Sequence, residues 1–129
     1  MNFSGKILLV DDEAHIRKYV SLIIKQLGRP VTISEAGNGE EALVAYQANK
    51  PDLVLLDVNM PQMDGLETLD KLLELDPDCV VIMLTSLANR ETVERAMERG
   101  AVNYIRKDTP KEEIAKALAE TIDACPKRD

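Results

Sequence analysis

No apolar run in this chain approaches the ~18 residues needed to cross a bilayer as a helix. No basic run stands out either, since 16 Lys+Arg face 23 Asp+Glu for a formal net charge of −7. An acidic chain without a basic patch is poorly suited to nucleic acid or to an anionic membrane surface. Cysteine is scarce. Cys79 and Cys125 have no metal-binding or redox spacing, so both read as filler in a reducing, cytoplasmic setting. Histidine is scarcer: His15 stands alone, in the first turn of an expected helix and on its polar side, where it reads as a surface residue. Internal repeats and low-complexity segments are absent. The first residues, MNFSGKILLVDDE, join a short apolar run directly to acids without a small-residue cleavage site, and do not read as a secretory signal.

What remains is a chain of 129 residues, 45% apolar, long enough for one domain with a real core and too short for two. The expectation is a single domain over 1–129 with its core at about 5–124. Pro51 to Gly65, PDLVLLDVNMPQMDG, organises it. Leu53–Leu56 is a continuous apolar run bounded by turn residues, which reads as a strand buried on both faces. It ends on Asp57, followed by the turn formers Asn59, Pro61, Asp64 and Gly65.

The flanking segments alternate in type. Lys6–Val10 (KILLV) is a strand ending on Asp11, Asp12 and Glu13. Ile16, Tyr19, Val20, Ile23, Ile24 and Leu27 then mark one face of a helix, stopped by Gly28 and Pro30. Val31–Ala36 alternates as an edge strand would. Asn38 with Glu41 forms a capping box for a short helix whose inner residues are Ala42, Ala45 and Tyr46. Asp64 with Glu67 opens a third helix with Leu66, Leu69, Leu72 and Leu73 inside. Val80–Leu84 is a further apolar strand, ending at Thr85-Ser86. Asn89–Arg99 is a weakly amphipathic helix with only Val93, Ala96 and Met97 inside. Val102–Ile105 is a fifth strand leading to Arg106-Lys107. Thr109, Pro110 and Glu112 provide an N-cap, a first-turn proline and a capping acid for a last helix carrying Ile114, Ala117, Leu118, Thr121 and Ile122. Strands alternating with helices imply an α/β fold: a flavodoxin-like, doubly wound, five-stranded parallel sheet of order 2-1-3-4-5 with five helices.

In such a sheet the C-terminal strand ends share one edge, which ligands occupy. That edge gathers Asp11 and Asp12, Asp57, Thr85 and Lys107. Two unit charges ~4 Å apart at an effective dielectric near 20 repel by about 4 kcal/mol, so converging carboxylates need a cation. Oxygen-only ligands open to solvent suit Mg²⁺. With Mg²⁺ and Lys107 attracting a phosphoryl group and the Thr85 hydroxyl bonding one of its oxygens, Asp57 is placed to act as nucleophile and form an acyl phosphate. Each member has a plainer reading: Asp57 as a turn cap, Asp12 as the cap of the first helix, Thr85 as a turn residue, Lys107 as a solvated charge. Tyr104 by spacing alone is packing on a sheet edge as readily as anything else. Met60, Met63, Met83 and Met97 read as loop and core filler. The signal lies in the joint placement at four strand ends.

From Lys6 to about Ala124 the chain resembles the receiver domains of two-component response regulators, most specifically in ILLVDDE, EAGNGEEAL and DLVLLDVNMPQMDG. The resemblance implies that Asp57 is the phosphoacceptor. It makes Asp11 and Asp12 the acidic pair, with Asp12 the more direct Mg²⁺ ligand. Asp57 and the backbone carbonyl of Asn59 join the metal set, in which Mn²⁺ is a possible substitute. Thr85 matches the family's hydroxyl residue, Lys107 its phosphate-binding lysine and Tyr104 its switch aromatic. In the family, phosphorylation draws the hydroxyl residue inward, the aromatic follows, and the face made by the fourth helix, fifth strand and fifth helix changes partners. Asn59 and Leu87 occupy positions held to tune phosphate lifetime. The likeness implies a sensor histidine kinase or a histidine phosphotransfer protein as donor and a downstream protein as target. It implies a monomer or phosphorylation-dependent dimer, and no enzymatic activity beyond the chain's own phosphorylation and dephosphorylation.

One position departs from the pattern. Receivers usually carry a proline, typically cis, directly after the lysine; here Asp108 follows Lys107 and the proline is Pro110. A cis Lys-Asp bond costs ~3 kcal/mol or more, so the usual loop geometry is not expected at 107–110. Asp108 is also expected to compete with a phosphoryl group for Lys107. Three other function classes compete with the receiver reading. A haloacid-dehalogenase-type enzyme needs a second acid two residues after the nucleophile, where this chain has Asn59. A flavin- or nucleotide-binding domain needs a phosphate-cradling loop where this chain has Asp11-Asp12-Glu13, which repels phosphate unless a metal is bound. A phosphorylation-independent receiver serving only as an interaction module is kept open by Asp108. With Asp129 just past the last helix, a DNA-binding output domain is not expected in this chain. The expectation is a stand-alone regulator, chemotaxis-type or phosphorelay shuttle, with a receiver excised from a longer regulator as the alternative.

Overall fold

The computed structural model describes residues 5–58, 60, 63–86 and 90–124. Five strands alternate with five helices: β1 (Lys6–Val10), α1 (Ala14–Gln26), β2 (Thr32–Ala36), α2 (Gly39–Asn49), β3 (Leu53–Asp57), α3 (Gly65–Leu75), β4 (Val81–Thr85), α4 (Arg90–Arg99), β5 (Asn103–Arg106) and α5 (Lys111–Ala124). The strands form one sheet in the order β2-β1-β3-β4-β5, and every pairing is parallel. The order anticipated from the alternation of segments is the one observed. No helix among the described residues is long and apolar enough to cross a membrane.

The continuous apolar strands follow from burial on both faces. Leu8, Val10, Val54, Leu56, Val81 and Met83 point to one side, packed with Ala42, Tyr46, Leu69, Leu72 and Ala96 of α2, α3 and α4. Ile7, Leu9, Leu53, Leu55, Ile82 and Leu84 point to the other, packed with Val20, Ile23 and Ile24 of α1 and Ile114, Leu118 and Ile122 of α5. β2 is the edge strand its alternation suggested, with only Ala36 fully buried.

The helix starts are set by local chemistry. The Glu41 N–H donates to Asn38 Oδ1 at 2.8 Å and the Glu67 N–H to Asp64 Oδ1 at 2.9 Å, so both expected caps form. The Glu41 carboxylate reaches back to the Gly37 N–H at 2.9 Å. α5 starts one residue later than its proline implied: the Pro110 carbonyl accepts the N–H groups of Glu113 and Ile114, both at 3.0 Å, and Lys111 is the first helical residue.

Two expected inner residues lie elsewhere. Tyr19 is 40% exposed, while Ser21 is buried, because the buried face of α1 is turned toward Ser21 and leaves Tyr19 on its border. On α4 only Ala96 is fully buried, and Met97 is 41% exposed. This thin contact leaves α4 the most lightly packed helix on its face. Strands β4 and β5 are each shifted one residue along the chain from their expected bounds, starting at Val81 and Asn103 and ending at Thr85 and Arg106. Leu87 and Asn89 lie outside the described residues.

Tyr46 ties α2 to the end of α3, its hydroxyl donating to Asp76 Oδ2 at 2.7 Å. Tyr46→Phe keeps the ring in the core and removes this bond. It is expected to cost ~1 kcal/mol, measured by urea unfolding.

Candidate functional site

The strand order reverses between β1 and β3, and open α/β sheets bind ligands at such a switch point. The register places Val10 opposite Leu56, so the residues that follow, Asp11 and Asp57, emerge side by side. Both are 1% exposed. Backbone contacts hold Asp11. Its N–H donates to the Ala36 carbonyl at 3.1 Å, its Oδ1 accepts the Glu13 N–H at 2.8 Å, and its carbonyl accepts the Arg17 guanidinium. Arg17 also pairs with Glu35 at 2.8 Å, tying the β1–α1 turn to β2. Asp12 lies beside them, exposed. Its plainer reading as a helix cap does not hold, since the N-cap of α1 is Glu13 and no side chain caps it.

Asp11, Asp12 and Asp57 each offer an oxygen, and these oxygens lie within 4.8 Å of one another. This is an all-oxygen donor set with one exposed member, which fits a hard divalent cation that keeps part of its water shell. The Lys107 ammonium reaches into the same cluster. Its Nζ lies 2.7 Å from Asp11 Oδ2, 3.3 Å from Asp57 Oδ1 and 3.4 Å from Glu13 Oε1. Burial pulls the Lys107 pKa down, and the hydrogen bond to Asp11 with the charges of Asp57 and Asp11 outweighs it, so the net shift is upward from 10.5. Lys107 therefore stays cationic at neutral pH.

Lys107 is positioned from its backbone, whose N–H donates to the Thr85 carbonyl at 2.7 Å. Thr85 itself is buried, at the end of β4. Thr85, Asp57, Asp11 and Lys107 thus come from four neighbouring strand ends on one edge, as their sequence positions indicated. Asn59 lies outside the described residues. Tyr104 stands apart from the cluster, 42% exposed on the outer strand β5, beside a groove that Thr109, Glu113 and Ala117 also line. His15 is a surface residue, its ring 3.7 Å from the Glu13 carboxylate.

The expected competition of Asp108 for Lys107 does not occur. Asp108 forms a two-pronged pair with the Arg106 guanidinium, Nε to Oδ1 at 3.0 Å and the second nitrogen to Oδ2 at 2.8 Å. β5 ends at Arg106, and Lys107 and Asp108 lie in a turn closed by the Thr109 N–H to the Arg106 carbonyl at 3.0 Å. No peptide bond among the described residues is cis, that of Lys107–Asp108 included.

Two residues of the site were not legible as such. Glu13 read only as part of an acidic turn, and its contact with Lys107 depends on the fold. Gly65 read as a turn former. A Cβ at Gly65 would lie 2.3 Å from the Asp57 carbonyl oxygen and 2.7 Å from Val58 Cα, so the start of α3 is pressed directly on the strand end that carries Asp57. A glycine shortly after a strand-end acid is the signal that could have found it.

A doubly wound five-stranded sheet with an acid cluster and a lysine at its switch point defines a receiver-type domain. The chain belongs to the response regulator receiver domain family, whose model matches residues 7–119. It is 40% identical over 112 residues to the nitrate/nitrite response regulator NarL of Escherichia coli strain K12, a match covering 87% of this chain and 52% of NarL. The chain thus spans about half the length of that relative. It is 38% identical over 113 residues to the chemotaxis protein CheY of Listeria monocytogenes, covering 88% of this chain and 94% of CheY. Among solved structures it resembles a chain of the CheX–CheY–BeF3–Mg²⁺ complex from Borrelia burgdorferi, with TM-score 0.82 and 28% identity over 90% of this chain and 87% of that one. It is accordingly a CheY-like receiver, a signalling domain of two-component systems.

Proposed function

We propose that this domain is a phosphorylation-controlled switch in which Asp57 accepts a phosphoryl group from a phosphohistidine on a sensor kinase or phosphotransfer protein. A carboxylate oxygen of Asp57 bonds to phosphorus as the phosphorus–nitrogen bond breaks, leaving an acyl phosphate. The observation that carries this reading is the Lys107 ammonium set between Asp11 and Asp57, 2.7 and 3.3 Å away, in a cluster of three carboxylates. Asp11, Asp12 and Asp57 would hold Mg²⁺, with Mn²⁺ as a substitute and the Asn59 carbonyl as the family's further ligand. Bound there, Mg²⁺ supplies positive charge against the cluster and toward phosphoryl oxygens. The Lys107 ammonium adds a second positive charge toward the phosphoryl oxygens, and its backbone tie to Thr85 keeps it at the site. Thr85 offers a hydroxyl to a phosphoryl oxygen.

The output would pass through Thr85 to Tyr104 and the surface of α4, β5 and α5, where α4 is lightly packed and Tyr104 exposed. The partner there is a downstream protein, met by a monomer or by a phosphorylation-dependent dimer. Beyond its own phosphorylation and dephosphorylation the domain has no enzymatic role. It works in the cytoplasm, as a single domain over 1–129 that stands alone or as the receiver of a longer regulator. Engagement of Asp108 by Arg106 supports this reading over a phosphorylation-independent module. The test is intact mass after incubation with acetyl phosphate. One acid-labile phosphoryl group is expected with Mg²⁺ and none without it. No gain under conditions that label an ordinary receiver would overturn the proposal.

A further inference from the structure

We propose that Arg106 is a positioning residue for phosphoryl transfer, because it holds both carboxylate oxygens of Asp108 and so keeps that carboxylate off the Lys107 ammonium. The inference rests on the reading of Asp57 as phosphoacceptor and adds a residue to it.

Lys107 is the one cation placed in the carboxylate cluster among the described residues, and its ammonium already faces Asp11, Asp57 and Glu13. A further acid competing for it would draw it from Asp57. Asp108 is the nearest candidate by sequence, attached directly to Lys107 in the turn closed by the Thr109 N–H to the Arg106 carbonyl at 3.0 Å. The structure directs this acid away. Both Asp108 oxygens are taken by one guanidinium, at 3.0 and 2.8 Å, while the Lys107 ammonium faces Asp11, Asp57 and Glu13. A planar guanidinium satisfies a carboxylate at two points, so the pair fixes orientation as well as proximity; a lysine at 106 would not do this. The fork is half-exposed, with side chains 46% and 63% accessible, which limits its strength and sets the size of the effect.

Arg106→Gln releases Asp108 and is expected to slow acetyl phosphate labelling of Asp57 by about threefold to fivefold, the upper range of one partly exposed ion pair. Asp108→Asn alone removes the competitor and is expected to leave the rate within about twofold of wild type. The double variant Arg106→Gln/Asp108→Asn is expected to recover to that same level, since nothing is left to sequester. If Arg106 instead attracts the anionic donor by its charge, or only braces the turn, the double variant stays as slow as Arg106→Gln, and the proposal is wrong.

A second readout does not depend on phosphorylation. The side-chain ¹⁵Nζ resonance of Lys107 in the unmodified protein reports which carboxylates hold the ammonium. It is expected to shift in Arg106→Gln and to return to its wild-type position in the double variant. An unmoved resonance in Arg106→Gln overturns the proposal. Absence of labelling in wild type overturns the phosphoacceptor reading instead, and the lysine resonance then decides the role of Arg106 by itself.

Discussion

Asp57→Asn is expected to abolish the acid-labile, Mg²⁺-dependent phosphoryl gain completely while leaving the fold intact. The side chain is 1% exposed, and asparagine fills the same volume, so no cavity opens in the strand end. The acceptor oxygen is replaced by an amide that does not form an acyl phosphate. Stability moves in the opposite direction from activity. Three carboxylates share a space where their oxygens lie within 4.8 Å of one another, and Lys107 is the cation set among them. Removing one charge relieves this repulsion, so unfolding in urea without Mg²⁺ is expected to require ~1 kcal/mol more, as often happens when a functional site gives up its strain. Stabilisation by added Mg²⁺ should shrink in the same variant, since binding linkage falls as a ligand is lost. Labelling that survives Asp57→Asn would move the acceptor to another residue. A large loss of stability would mean that the Asp57 carboxylate is a structural requirement of β3.

Gly65→Ala is expected to be the most damaging single methyl that the site can receive. Its Cβ would meet backbone atoms, the Asp57 carbonyl oxygen at 2.3 Å and Val58 Cα at 2.7 Å. Backbone yields far less readily than the end of a side chain, so either α3 lifts from the sheet or the end of β3 shifts. We expect a cost of ~3 kcal/mol in urea unfolding. Labelling of Asp57 should fall at least tenfold in the fraction that remains folded, since small displacements of a reacting group cost large factors. Gly28→Ala is the control. Gly28 has φ +72° and nothing within 4 Å of the added Cβ, so only backbone strain of about 1 kcal/mol is expected and labelling should not change. Equal effects from the two substitutions would refute the contact argument.

Why the architecture was legible from the chain and the fine positions were not can be followed residue by residue. Leu53–Leu56 and the Val81–Leu84 part of β4 are apolar without alternation, and only strands covered on both faces tolerate that, so the parallel sheet with two helical layers followed. Asn38 and Asp64 capped their helices as local hydrogen-bonding chemistry requires. Tyr19 and Met97 were misplaced because periodicity marks an apolar stripe without saying how far the neighbouring elements turn and cover it. Both lie where coverage ends.

The same division holds at the site. Acids at the ends of β1 and β3, a hydroxyl at the end of β4 and a lysine past β5 are properties of position along the chain, and alternation of strands with helices is enough to bring them to one edge. Tertiary structure alone decided which charges meet. Asp108, beside Lys107 in the chain, was expected to bind it, yet the backbone sends it to Arg106, while Glu13, far away in sequence, lies 3.4 Å from the Lys107 ammonium. Turn geometry and the meeting of strand ends set these partners, because electrostatic energy depends on distance through space and a sequence records only distance along the chain. The close seat of Gly65 against Asp57 is of the same kind: the glycine is written in the chain, and the reason for it exists only where α3 meets β3.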